Sequence, residues 1–159
     1  MPWTILAQSW TSVGPNGGWI NVLARDGSGN IYAGTYVGGI YKTSDNGDTW
    51  VRFYTDTLTI DPLSIAINPG GHVFVGASPG FHRSTNGGAT WQKLNNVLNT
   101  RTVEALVVLA NGTILAGNWG GGGVFRSTDN GTTFAATNNG LSNTQVRVPA
   151  APEAGVPGF

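Results

Sequence analysis

Apolar positions in this chain come in short runs of four to six, each closed by Gly, Asn, Asp or Pro, and the runs recur in cycles. Runs of that length between turn formers predict strands. In the first cycle they predict strands over Ile20 to Arg25, Asn30 to Thr35, Gly39 to Thr43 and Trp50 to Tyr54. The stretches Asp26-Gly27-Ser28-Gly29, Asn68-Pro69-Gly70-Gly71 and Ala110-Asn111-Gly112 fall between first and second strands. Their Gly and Asn residues tolerate the positive φ of tight hairpins. Each cycle therefore predicts a four-stranded antiparallel meander. The first strands Leu63 to Ile67 and Val103 to Leu109 are apolar nearly throughout, so neighbouring cycles must cover both of their faces.

The cycle is a repeat in register. Thr43-Ser44-Asp45-Asn46-Gly47-Asp48-Thr49-Trp50 returns as Ser84-Thr85-Asn86-Gly87-Gly88-Ala89-Thr90-Trp91 and as Ser127-Thr128-Asp129-Asn130-Gly131-Thr132-Thr133-Phe134, with starts 41 and 43 residues apart. A second marker lies upstream of each box, as Ile31-Tyr32-Ala33-Gly34, Val73-Phe74-Val75-Gly76 and Ile114-Leu115-Ala116-Gly117. Between the two lies a third, as Gly39-Ile40-Tyr41-Lys42, Gly80-Phe81-His82-Arg83 and Gly123-Val124-Phe125-Arg126. Four-stranded units of this period, stacked around an axis, are the blades of a β-propeller. The expected fold is all-β, with three blades at about 19–54, 61–95 and 102–137 in an incomplete ring. Propellers close with about four to eight blades.

The box Ser/Thr-x-Asp/Asn-x-Gly-x-Thr-Trp/Phe resembles the Asp-box, or BNR repeat, of sialidase-like propellers, and the resemblance covers residues 10–148. The spacing has a local reason. Asp45, Asn86 and Asp129 can accept bonds from amides of their own turn, while Gly47, Gly88 and Gly131 supply the left-handed step. Trp50, Trp91 and Phe134 return an aromatic ring into the blade. The resemblance puts the box at the outer rim, between third and fourth strands and far from the binding face. Asp45-Asn46-Gly47-Asp48 does not satisfy a calcium loop, which needs alternating acids before Gly and a distant Glu. Gly120 to Gly123 lack the Gly-Lys-Ser/Thr of a phosphate loop and read as a turn. The wider phrasing is similar to secreted or surface bacterial propellers of the photosystem II assembly factor-like and sensor-propeller groups, which implies an extracellular or cell-surface parent.

Composition narrows the chemistry. Of 159 residues 25 are Gly, and the charged types make up 10% with eight basic against eight acidic side chains. A balanced, sparse charge argues against a nucleic-acid partner. No apolar run reaches the roughly 20 residues of a membrane helix, and the start has no signal-peptide pattern. The absence of cysteine removes thiolate catalysis, disulfides and Cys-based zinc sites. No metal site or cofactor is expected.

At the edges of the repeat, Trp10 stands 40 residues before Trp50, which predicts an outer strand over 3–13. Val146 stands where Val103 does and opens the inner strand of a further blade at 145–148. Pro149 and Pro152 then break the pattern, so 149–159 reads as an unstructured tail. The expectation is a truncated or frame-shifted piece of a larger protein, or copies that complete one another's blades.

In propellers of the resembling family, ligands bind on loops between second and third strands and between successive blades. Tyr36 and Trp119 share one register there, with Ser78 between them in the middle blade; exposed aromatics stack on sugar rings, and packing between blades competes with this. Glycosidase chemistry needs paired carboxylates, and Asp56 and Asp61 share one connecting loop; a turn role for Asp61, before Pro62, competes with this. Lys42, Arg83 and Arg126 recur in register and so belong to the blade template, not to the arginine triad of a sialidase. His82 stands where Tyr41 and Phe125 stand and reads as a packing ring. The expected role is a non-catalytic scaffold or recognition module for a glycan or a protein. The alternatives are a fragment of a xyloglucanase-like or sialidase-like glycoside hydrolase, and an assembly factor for a membrane protein complex.

Overall fold

A computed structural model describes residues 14–15, 18–54, 60–94, 97–98 and 100–146. Among these residues twelve strands form three separate antiparallel sheets, each a meander in chain order. Blade one holds β1 (Ile20–Arg25), β2 (Ile31–Thr35), β3 (Gly39–Thr43) and β4 (Val51–Arg52). Blade two holds β5 (Pro62–Ile67), β6 (Val73–Ala77), β7 (Gly80–Ser84) and β8 (Gln92–Lys93). Blade three holds β9 (Thr102–Val108), β10 (Ile114–Trp119), β11 (Gly123–Ser127) and β12 (Ala135–Ala136). No helix of the described residues is long and apolar enough to cross a membrane.

Strand ends differ from the sequence expectation by one residue in the first strands of blades two and three, which run Pro62–Ile67 and Thr102–Val108, and also in two strands of blade one. Asn30 stays in the β1–β2 turn, because its amide and its side chain both donate to the Asp26 carboxylate. The fourth strand is shorter than Trp50 to Tyr54, because the amides of Phe53 and Tyr54 both donate to Ile40 O and the chain bends off the ladder. The outer strand over 3–13, the tail at 149–159 and Asp56 lie outside the described residues.

The core sits between blades, in two layers. One joins Tyr32, Ile40 and Tyr54 of blade one to Ile65, Val73 and Val75 of blade two. The other joins Phe74 and Phe81 of blade two to Val103, Leu106, Ile114 and Phe125 of blade three. A glycine in each second strand lets the next blade in. A Cβ on Gly34 would lie 2.9 Å from Pro62 Cβ, and one on Gly76 would lie 2.6 Å from Val103 Cγ1. On Gly117 it would strike Val146.

Each first strand carries an irregularity just after this contact: Ile20 pairs with Thr35 but Val22 with Gly34, and Pro62 with Ala77 but Ser64 with Gly76. Blade three repeats it, with Val103 opposite Asn118 and Ala105 opposite Gly117. The extra residue is Asn21, Leu63 or Glu104, and such bulges re-aim side chains at a strand end.

Candidate functional site

The ladder registers separate the two ends of every blade. The start of the first strand, the end of the second and the start of the third share one end, as Ile20 opposite Thr35 and Thr35 opposite Gly39 show. The boxes and the first hairpins share the other.

At the loop end the three blades present equivalent rungs side by side. Tyr36 N–H donates to Trp19 O at 2.8 Å, and Ser78 N–H donates to Asp61 O at 3.1 Å. Thr102 is the ladder partner of Trp119. The rungs are tied laterally. Asn21 Nδ2 of blade one donates to the Asp61 carboxylate at 2.8 Å and to Pro62 O at 3.2 Å. The hydroxyls of Ser78 and Thr102 lie 3.3 Å apart. Behind the third rung, buried Asn118 donates from Nδ2 to Thr102 O at 2.8 Å, and Arg101 lies over the Phe125 ring.

The row therefore reads aromatic, polar, aromatic. Trp19 and Tyr36 stack with ring centroids 6.2 Å apart and an interplanar angle of 30°, and they are 82% and 51% exposed. Trp119 is 37% exposed at the far end. Beside Tyr36, Val37 holds φ of 62°, a left-handed conformation that a β-branched residue rarely adopts. Burial pushes the Asp61 carboxyl above its ordinary value, against the lowering effect of the Asn21 bond.

Tyr36 and Trp119 thus stand on one row with Ser78 between them, and Asp61 lies in the same row. Sequence reasoning missed Trp19 and Thr102. The signal for Trp19 was an aromatic immediately before a first strand, opposite Tyr36.

At the other end the repeated box folds into the same clip three times. Asp45 Oδ1 accepts from Thr49 N–H at 2.9 Å and from Thr43 Oγ1, whose oxygen in turn accepts from Gly47 N–H. Asn86 and Asp129 do the same with Thr90 and Ser84, and with Thr133 and Ser127. These donors, Thr43 first, hold the Asp45 carboxyl well below the usual carboxylate range. The same bonds, led by Thr133, hold Asp129 at about 2.

The box aromatics do not simply return into their own blade. Trp91 packs on Phe53 and Tyr54 of the preceding blade, and Phe134 packs on Phe81 of the preceding blade. Gly88 lies against the Phe53 ring and Gly131 against the Phe81 ring. The clip is also the outer contact between blades.

Basic side chains of the template serve packing at this end. Lys42 Nζ lies 5.4 Å from the Tyr32 ring centroid and 5.6 Å from that of Phe53. Arg83 reaches the next blade, donating to Asn130 O at 2.7 Å. His82 is buried at the blade interface, its Nδ1 3.5 Å from Tyr54 Oη. Asp26 accepts from Ser28, Asn30 and Tyr32 in its own hairpin. A cavity of about 220 Å³ lined by Lys42, Ser44, Thr49, Val51, Arg52 and Phe53 lies beside the first clip. Among the described residues no group of three or more His, Asp or Glu side chains converges on one point.

A scan against protein-family models finds no match, and no curated protein matches. Solved structures do. An ancestral GH74 enzyme aligns over 81% of this chain with a TM-score of 0.67 and 22% identity. The extracellular domain of the one-component system BT4673 from B. thetaiotaomicron aligns over 80% with a TM-score of 0.62 and 14% identity. YCF48 bound to a D1 peptide aligns over 81% with a TM-score of 0.55 and 20% identity. The chain spans 19%, 18% and 44% of those three proteins. These are propeller proteins. The described residues fold as three all-β propeller blades.

Proposed function

We propose that this chain is an Asp-box segment of a propeller whose loop end recognises a glycan without cleaving it, within a secreted or cell-surface bacterial protein. The observation that carries this reading is the row in which Trp19 with Tyr36 and, at the far end, Trp119 flank the polar rung of Asp61 and Ser78. Exposed rings offer a sugar a wide apolar face at small entropy cost, and the rung between them offers hydrogen-bond acceptors and a hydroxyl donor. Similarity to a GH74 enzyme and to an extracellular sensor domain supports such a setting. The test is affinity electrophoresis of the full chain in gels containing xyloglucan or cellulose oligosaccharides. Retardation that a folded Trp19→Ala/Tyr36→Ala variant loses supports the reading; unchanged migration on every glycan overturns it.

A second reading, a fragment of a glycoside hydrolase, is favoured by one feature. The Asp61 carboxyl lies at the loop end and is pushed upward by burial, as a general acid requires. Its partner acid would be Asp56. Hydrolysis of the same glycans that disappears in Asp56→Asn/Asp61→Asn would establish that reading, whereas binding without hydrolysis favours the module.

A further inference from the structure

We propose that Asn139 is a site of spontaneous deamidation, at which the chain acquires a carboxylate at its loop end, and that the fold shields the other described Asn-Gly pairs from the same reaction. The inference uses no part of the ligand reading. It rests on where each pair sits in its turn.

An asparagine followed by glycine carries both reactants of this step. The backbone nitrogen of the glycine attacks Cγ of the asparagine and forms an N–Cγ bond. The carboxamide nitrogen leaves as ammonia, taking with it the proton of the attacking amide, and a five-membered imide remains. Water then adds to one of the two imide carbonyls and breaks its bond to nitrogen. Opening at Cγ gives aspartate, and opening at the backbone carbonyl gives isoaspartate. Glycine has no Cβ to obstruct the approach. The reaction needs a glycine amide that is not held in a hydrogen bond and a carboxamide that can turn toward it.

Five such pairs lie among the described residues, and four are held; Asn16–Gly17 lies outside them. Gly47 N–H donates to Thr43 Oγ1 at 3.0 Å and Gly131 N–H to Ser127 Oγ at 2.9 Å, each within its clip. Asn130 Oδ1 also lies 3.2 Å from His72 Nδ1. Gly112 N–H closes the β9–β10 turn on Leu109 O at 2.8 Å, and Asn111 Oδ1 accepts from Thr113 N–H. At Asn86 the carboxamide is the fixed part: Oδ1 accepts from Thr90 N–H and Ser84 Oγ, and Nδ2 donates to Thr90 Oγ1.

Asn139–Gly140 has neither restraint. Leu141 N–H donates to Asn138 O at 3.0 Å and Gly140 has φ of 86°, so the four residues form a β-turn with glycine third. The amide of that third residue takes no part in the turn's own bond. Among the described residues the Gly140 amide and the Asn139 carboxamide make no hydrogen bond, and both residues are exposed. The place itself is an exposed one. Val97, which holds the place of Gly140 in the loop after blade two, is 44% exposed although blade three follows it. Asn138 fixes the turn at the loop end, where it accepts from Val124 N–H at 2.8 Å and donates to Gly122 O at 3.3 Å. The product therefore adds a negative charge to a chain of net charge zero, on the end that carries Asp61 and Trp119.

Ageing of the full chain in neutral buffer tests this, with peptide mapping by mass spectrometry at each pair. The mass gain that replaces NH2 by OH is expected at Asn139 about tenfold faster than at Asn46, Asn86, Asn111 or Asn130, the factor that a retained hydrogen bond of ordinary strength imposes. Ion exchange is expected to show an acidic species growing in the parent chain and largely missing from Asn139→Gln, whose longer side chain closes the ring far more slowly. In urea the five rates are expected to converge, because the fold then holds none of the pairs. Faster conversion at another of the four pairs, equal rates in the folded chain, or the same order of rates folded and unfolded would overturn the proposal.

Discussion

Asn21 of blade one donates a 2.8 Å hydrogen bond to the carboxylate of Asp61 in blade two. The bond exists because the bulge in β1 adds a residue at that point and turns its side chain toward the neighbouring blade. The carboxylate is thereby a brace between blades at the loop end. Burial raises its pKa above the unfolded value, so the folded state holds this proton more tightly than the unfolded chain does. Stability contributed by Asp61 is present below the unfolded pKa and is lost as pH rises through the folded one. Asp61→Asn keeps an acceptor for Asn21 and removes that loss. The variant is expected to melt at or above the parent temperature at neutral pH, with the difference vanishing toward pH 4, as thermal scans across pH would show.

The clips respond to acid with the opposite sign. Asp45 and Asp129 have folded pKa values below their unfolded ones, so they stabilise above the unfolded carboxylate range and lose that contribution as pH falls through the folded values. Asn86 holds the same place in blade two and does not titrate. Amide exchange supplies an internal control. Protection at Thr49 and Thr133, corrected for intrinsic rate, is expected to fall between pH 4 and pH 2, while that at Thr90 stays level. Equal loss at all three amides would assign acid sensitivity to global unfolding.

Gly88 and Gly47 have the same place in their clips and similar φ, 88° and 104°. Only Gly88 faces a ring, that of Phe53. Alanine at either position meets the left-handed strain of about 1–3 kcal/mol, and at Gly88 it must also displace Phe53. Gly88→Ala is therefore expected to cost about 1 kcal/mol or more beyond Gly47→Ala, consistent with overpacking penalties. Urea denaturation of the two variants gives the difference directly. Equal costs would remove the clip from the blade junction.

The strands and the boxes were legible in the sequence for a physical reason. Apolar runs such as Val73 to Ala77 are buried along their length, and the Asx, Gly and Thr positions of the box are fixed by bonds within eight residues. The junctions were not. That Trp91 meets Phe53 and Tyr54, or that Gly34 receives Pro62, depends on the rotation between sheets, which no local pattern encodes. Trp19 escaped for a related reason: its equivalents, Asp61 and Thr102, share neither its size nor its chemistry, so the position carries no repeat signal. The row became visible only when the ladder registers aligned Trp19 with Asp61 and Thr102.

Val37 adopts φ of 62° beside Tyr36 in the β2–β3 turn and is exposed. A β-branched residue there costs about 1–3 kcal/mol, which the surrounding turn must offset. Asn visits the left-handed region far more readily. Val37→Asn is expected to stabilise the chain by about 1 kcal/mol while leaving the Tyr36 amide bonded to Trp19 O.

Trp91 tests the balance between ring packing and polar burial. Its indole Nε1 is buried with no hydrogen-bond partner among the described residues, as is that of Trp50, whereas the third box uses Phe134. An unpaired buried N–H costs about 1–3 kcal/mol. Trp91→Phe removes that cost along with part of the contact to Phe53 and Tyr54. The two changes oppose, so the net loss is expected to stay below about 1 kcal/mol. Trp91→Ala also removes the N–H but forfeits the whole contact, and its expected cost is about 3 kcal/mol. Denaturant midpoints at fixed m-value distinguish the pair. A Phe variant as unstable as the Ala variant would mean that the indole nitrogen, not the ring, holds this junction.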